Sequence, residues 1–277
     1  MQKLSLADET FDLNYTLNYN LSIQVSLDGF SFSILDTIQN KVIYLYHQSM
    51  FTGKAEFLLK KIKSIYDESD LLELPYKEVK ILFLVPDQTT IIPSDYFEES
   101  DSLTYFNTLF DADHHSVLLS DRVVRYNQRV IYRIHAGILK FLHEKHPSAK
   151  LKNNLTLFSS LFQDCDNTEF TLSIYRKFIS ILAVDSGKII FFNSFYCDGE
   201  NDILYYSLGT LKTIDKIPKK IILSGIVNKH AAIYHRLRQY HEQIVIDEKP
   251  AGLHYNDLID RLPDARFVNL FNSFICE

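Results

Sequence analysis

The chain has 277 residues, 46% of them hydrophobic, which is enough for two buried cores of ordinary domain size. A net charge of −6 gives no overall attraction to phosphate backbones or anionic membranes, and so argues against nucleic acid as a partner. Cys165, Cys197 and Cys276 are odd in number and far apart, so neither a disulfide framework nor a thiolate zinc site is indicated and a reducing, cytoplasmic setting is expected.

The opening MQKLSLADETFDL has no basic and apolar leader pattern, and no apolar run approaches the roughly 20 residues of a spanning helix, so no membrane association is expected. Residues 1 to 20 read as an entry segment lying against a sheet. From Leu21 the alternation of Leu21, Ile23, Val25 and Leu27 with serine and glutamine has the period of a strand. Asp28-Gly29 predicts a primed hairpin turn, Phe30 to Thr37 a returning strand, and Lys41 to Tyr46 a third.

Gly53 to Tyr66 has helical spacing, and Val79 to Val85 is apolar except at Lys80, as a strand covered on both faces should be. Pro86 ends it. Ser94-Asp95 can cap a helix running to Leu109. Val117 to Val124 and Val130 to Ile134 read as strands around Asn127, although Arg122, Arg125, Arg129 and Arg133 would also share one helix face. Ala136 to His146 predicts a helix ended by Pro147, and Asn153 or Asn154 another through Phe162.

The stretch Ile23 to Leu45 recurs. At an offset of 147, the difference 188 − 41, it falls without a gap on Phe170 to Phe192: Ser33-Ile34-Leu35 meets Ser180-Ile181-Leu182, and Val42-Ile43 meets Ile189-Ile190. The repeat continues. A helix follows from Asp198 or Gly199, the strand Lys220 to Val227 matches Val79 to Val85, and a helix from about Lys229 to Gln243, a strand Ile244 to Asp247 and a final apolar segment Phe267 to Ile275 complete the order.

Three strands, helix, strand, helix, strand, performed twice, is the order of duplicated ribonuclease H-like domains. DGFSFSIL, KIIFFNSF, YYSLGTL and LSG resemble an uncharacterised bacterial family of the actin-like ATPase superfamily. The resemblance implies an α/β protein with the actin-like ATPase fold: two ribonuclease H-like domains, residues 1–165 and 166–277, each a mixed β-sheet flanked by helices, with a cleft between them. In that superfamily glycine-rich turns of both meanders cradle phosphate, because backbone N–H groups approach oxygen only where side chains are absent. Here Asp28-Gly29 resembles the first turn, with Asp28 in the place of the carboxylate that holds metal-bound water. Phe30 follows where a small residue is expected, and the second turn, Tyr175-Arg176-Lys177, has neither Asp nor Gly. Ser224-Gly225 keeps one glycine where the adenosine region has two.

The nucleotide-binding candidates are therefore Asp28, Gly29, Arg176, Lys177 and Gly225, with ATP and magnesium as the implied ligands. Plain readings compete: a hairpin for Asp28-Gly29, and a close-packed strand end for Gly225. Asp111, Asp113, His114 and His115 read as a polar loop rather than a metal site, His143 and His146 as a solvated helix end, and the four arginines as a solvated or ion-paired face. The aromatic pairs Phe191-Phe192, Phe195-Tyr196 and Tyr205-Tyr206 exceed what one buried face needs, which points to a protein partner. The expectation is a non-catalytic binding or scaffold protein; the alternative is an ATP-binding protein with weak or no ATPase activity.

Overall fold

The computed structural model describes residues 3–50, 54–86, 88–123, 127–160, 167–186 and 188–276, with backbone only at 158–160. The first sheet begins with β1 (Lys3–Ala7), β2 (Tyr19–Ser26), β3 (Gly29–Asp36) and β4 (Lys41–Ser49). Helix α1 (Ala55–Glu68) buries Leu58, Ile62, Ile65 and Tyr66 while its lysines face out, the stripe expected from the spacing. It leads to β5 (Glu78–Leu84), which pairs in parallel with β2 and buries its apolar run from Ile81 to Leu84.

A three-stranded antiparallel sheet is then inserted, from β6 (Thr89–Pro93), α2 (Ser102–Leu109), β7 (Ser116–Val123) and β8 (Gln128–His135), in the order β6-β8-β7. Asn127, at φ +48°, takes up the turn between β7 and β8 as the strand reading requires. The helix expected from Ser94 is shorter: two single turns at Ser94–Tyr96 and Glu99–Asp101 precede α2. Ser102 Oγ donates to Glu99 O at 2.8 Å, a local bond that favours a turn there over a continuous helix. The chain returns through α3 (Ala136–Lys145), β9 (Lys150–Asn153) and α4 (Asn154–Ser160), giving the sheet order β1-β4-β3-β2-β5-β9.

The second half repeats the plan with β10 (Glu169–Ile174), β11 (Phe178–Asp185), β12 (Lys188–Tyr196), α5 (Glu200–Thr213), β13 (Lys220–Gly225), α6 (Ala232–Leu237) and β14 (Ile244–Ile246), in the order β12-β11-β10-β13-β14. The duplication extends to irregularities. The β3–β4 ladder skips Ile43 and the β11–β12 ladder skips Ile190, the same position at the offset of 147. The helix expected from Lys229 to Gln243 contracts to α6. Asn228 Oδ1 accepts from His230 N–H at 2.8 Å and holds the start in a turn, and bonds such as Gln239 N–H to Arg236 O at 3.1 Å tighten the end.

The last segment crosses back to the first sheet. It forms β15 (His254–Tyr255), which pairs with β4 at Lys41 and Val42, then α7 (Asp257–Asp260) and α8 (Val268–Asn272). Leu253, Ile259, Phe267, Leu270 and Phe271 close over Leu35, Val42 and Leu45. Lys80 Nζ donates to Ser273 O at 2.8 Å and to Cys276 O at 2.6 Å, which explains a lysine in an otherwise apolar strand. Leu182, Val184 and Ile189 of the second sheet are buried in the core of the first, so one apolar cluster spans both.

Candidate interdomain site

The tips of the two meanders meet. The turn between β2 and β3 is Leu27-Asp28, with Ser26 facing Gly29 in the ladder. Neither turn residue has positive φ, so the primed Asp28-Gly29 turn expected from the sequence is corrected: Asp28 is in the turn and Gly29 is already strand. Glycine is needed there because a Cβ would stand 2.7 Å from Gln48 O on β4. Across the cleft, the tip Tyr175-Arg176-Lys177 joins β10 to β11, and Arg176 N–H donates to Asp28 Oδ2 at 2.5 Å. Burial pushes the Asp28 pKa above its ordinary value, against the pull of the Arg176 N–H and charge, and its Oδ1 is buried without a partner. Tyr175 behind this clasp accepts from Asn269 Nδ2 at 2.9 Å, tying the second tip to α8.

Beside the clasp lies a cavity of about 240 Å³ whose polar side is His47, Ser49, Arg176, Asn228 and Arg266, facing Gly225 and an apolar side that includes Ile226 and Val227. A smaller one of about 50 Å³ adjoins it and reaches Asp28 and Gly29. His47 is bonded through Nδ1 to Ser31 Oγ at 2.8 Å and through Nε2 to Ser49 Oγ at 2.9 Å. Burial first, and Arg266 and Arg176 after it, lower the His47 pKa to about 4, so the ring is neutral at pH 7. Arg266 is itself pushed down by burial and by Arg176, and it lies 5.2 Å from the Phe267 ring centroid. The Arg176 guanidinium makes no ion pair among the described residues. Two cations and one acid, Asp28, face this space, an arrangement suited to an anion.

Gly225 ends β13 at φ +86°, and a Cβ on it would stand 2.2 Å from Ile174 O. Its place is thus fixed by backbone packing between β10 and β13, whatever else borders it. Asp28, Gly29, Arg176 and Gly225 are brought together, whereas Lys177 turns away to Asp198 at 3.4 Å and lines neither cavity. His47, Ser49 and Arg266 went unread. His47 is one polar residue in a strand, and Arg266 comes from the C-terminal segment, which has no counterpart in the repeat.

The other clusters resolve locally. Asp113 accepts from His115 N–H at 2.9 Å and Ser116 Oγ at 2.5 Å, and no group of three metal-binding side chains occurs among the described residues. His146 is corrected from a solvated helix end: it is buried against Tyr66, with Nε2 3.0 Å from the hydroxyl, because α3 packs on α1. Arg133 is corrected from a solvated or ion-paired face to a buried side chain, since β8 is the central strand of the inserted sheet. Cys165, Arg125 and Phe162 lie outside the described residues. Tyr196 and Tyr205 are exposed, while Phe195 stacks on Tyr206 at 4.3 Å. No helix among the described residues is long and apolar enough to cross a membrane.

Comparison with solved structures places this architecture. A crystal structure from Bacteroides thetaiotaomicron, a protein with actin-like ATPase fold and unknown function, matches with a TM-score of 0.82 at 24% identity, covering 97% of this chain and 100% of that one. The PilM-PilN type IV pilus biogenesis complex contains a chain that matches with a TM-score of 0.63 at 12% identity, covering 92% and 98%. The chain therefore has the actin-like ATPase fold. A search of curated proteins gave no match. A family model described as protein of unknown function (DUF3822) matches residues 8–244, and the chain belongs to that family.

Proposed function

We propose that this DUF3822 member is a non-catalytic binding or scaffold protein that works with a protein partner, and that its cleft runs no ATPase cycle. The observation that carries the reading is the 2.5 Å bond from Arg176 N–H to Asp28 Oδ2. A phosphate held between the two tips would need that N–H, and a metal-bound water would need that carboxylate; each is already spent on the other. The second tip also lacks the glycine that lets backbone reach phosphate oxygens. The match to a chain of the PilM-PilN complex supports a partner, because there the same fold is part of a two-protein assembly.

A second reading rests on Arg176 and Gly225 bordering the 240 Å³ cavity. In it, ATP with magnesium binds through Asp28, Gly29, Arg176 and Gly225, without Lys177 and without fast hydrolysis. Thermal melting separates the two. A ligand at a hundred times its Kd adds about 2.7 kcal/mol of stability. The first reading expects no shift with millimolar ATP and magnesium, and a saturable rise in Tm would replace it with the second.

A further inference from the structure

A second cavity, on the far side of the first meander tip, has the build of a ligand site. It measures about 240 Å³ and lies where the carboxyl ends of β2 and β5 meet β8 and the first turns of α1 and α3. Its walls are mainly apolar, with Val25, Leu27, Leu58, Phe83 and Ile138 among them. Arg133 also lines it and is only 6% exposed. The guanidinium is fixed by Nε donating to Gln88 Oε1 and Nη1 to Asp111 O, both at 2.7 Å, and it lies 5.1 Å from the Phe106 ring centroid.

These partners are neutral. Among the described residues no carboxylate lies within ion-pair distance of Arg133, and its Nη2 has no hydrogen-bond partner. The Asp113 carboxylate feels the Arg133 charge without forming an ion pair with it, and a ligand carboxylate oxygen on Nη2 would add the direct charge-assisted bond that Arg133 lacks. His135 lines the same cavity, and its Nδ1 is buried without a partner. One anion could therefore meet the unpaired Nη2 of Arg133 at one end and bury an apolar body at the other.

We infer that this cavity binds a small monocarboxylate with an apolar tail, held by Arg133. Charge selects the class. Asp113 also lines the cavity and stays ionised, its pKa lowered by the Ser116 hydroxyl and the His115 N–H first and by the Arg133 charge after them, so a dianion such as phosphate would meet one cation and one opposing carboxylate. A monoanion meets half the repulsion from Asp113 and still gains the bond to Arg133, while its tail replaces water along the apolar wall. The site shares no lining residue with the larger Arg176–Arg266 cavity and only Ser26 with the smaller one, so it stands whichever reading of the cleft holds.

The test is titration of the full chain with hexanoate, 1-hexanol and inorganic phosphate, followed by amide NMR shifts and by Tm. Hexanoate should bind saturably, with at least tenfold higher affinity than 1-hexanol or phosphate. Ala55 lines the cavity from α1, and Ala55→Phe should fill part of it and weaken hexanoate binding at least tenfold. Arg133→Met should do the same, and if that variant does not fold, Ala55→Phe decides. Equal binding of hexanoate and hexanol, no hexanoate binding at 10 mM, or unchanged affinity in Ala55→Phe would overturn the assignment.

Discussion

Gly225 is the residue whose identity the backbone dictates most strictly. Any side chain there is strained by φ +86° and driven into Ile174 O. Gly225→Ala should cost on the order of 2–4 kcal/mol in urea unfolding. Two titrating groups make opposite predictions. His47 binds its proton in the folded state only near pH 4, against an ordinary value of 6.5, so its contribution is present at neutral pH and lost as pH falls through that window. His47→Gln should flatten the acid side of the stability profile by at most about 3 kcal/mol. Asp247 runs the other way: burial raises its pKa to about 6, so the folded state holds the proton longer than the unfolded chain and stability is lost as pH rises from about 4 to about 6. Asp247→Asn should be stabilising at pH 7, by up to about 3 kcal/mol, and neutral near pH 3.5.

At the scale of elements, strands and buried helix faces were readable because their periods survive in the sequence. The α1 stripe and the β7–β8 hairpin depend on nearest neighbours. The shortened α2 and α6 were not readable, because short side-chain and backbone bonds around Ser102 and Asn228 compete with helix in ways that spacing does not reveal. The C-terminal segment was legible as apolar, but its destination was not. It covers the first sheet, with Phe271 fully buried against Tyr255 at a centroid distance of 5.3 Å. Phe271→Ala should therefore cost about 3–5 kcal/mol in denaturant unfolding, as loss of a core aromatic does. A surface role for α8 would leave stability within about 0.5 kcal/mol of wild type.

For the whole molecule, the question is whether the halves move. Leu182, Val184 and Ile189 join the core of the first half, the C-terminal segment straps back over it, and the two tips clasp at Asp28 and Arg176. Asp28→Ala should remove the clasp, cost about 1–3 kcal/mol and raise hydrogen exchange at the Arg176 amide. Unchanged exchange there would mean the bond does not hold the tips together in solution, and the main support for a non-catalytic cleft would go with it.

The sequence by itself determined the duplicated order of elements, the buried strands and the weak second tip, because all three follow from local period, apolar runs and the absence of glycine. It also pointed to five candidate residues at repeat-related turns and strand ends, four of which the structure brings together. Only the tertiary structure decided that Asp28 and Arg176 bond to each other, that Arg266 and His47 share their cavity, and that Arg133 is a buried cation rather than a surface one. Those facts depend on contacts between residues 22 to 219 positions apart, and no local pattern in a single chain records which distant groups will be packed together.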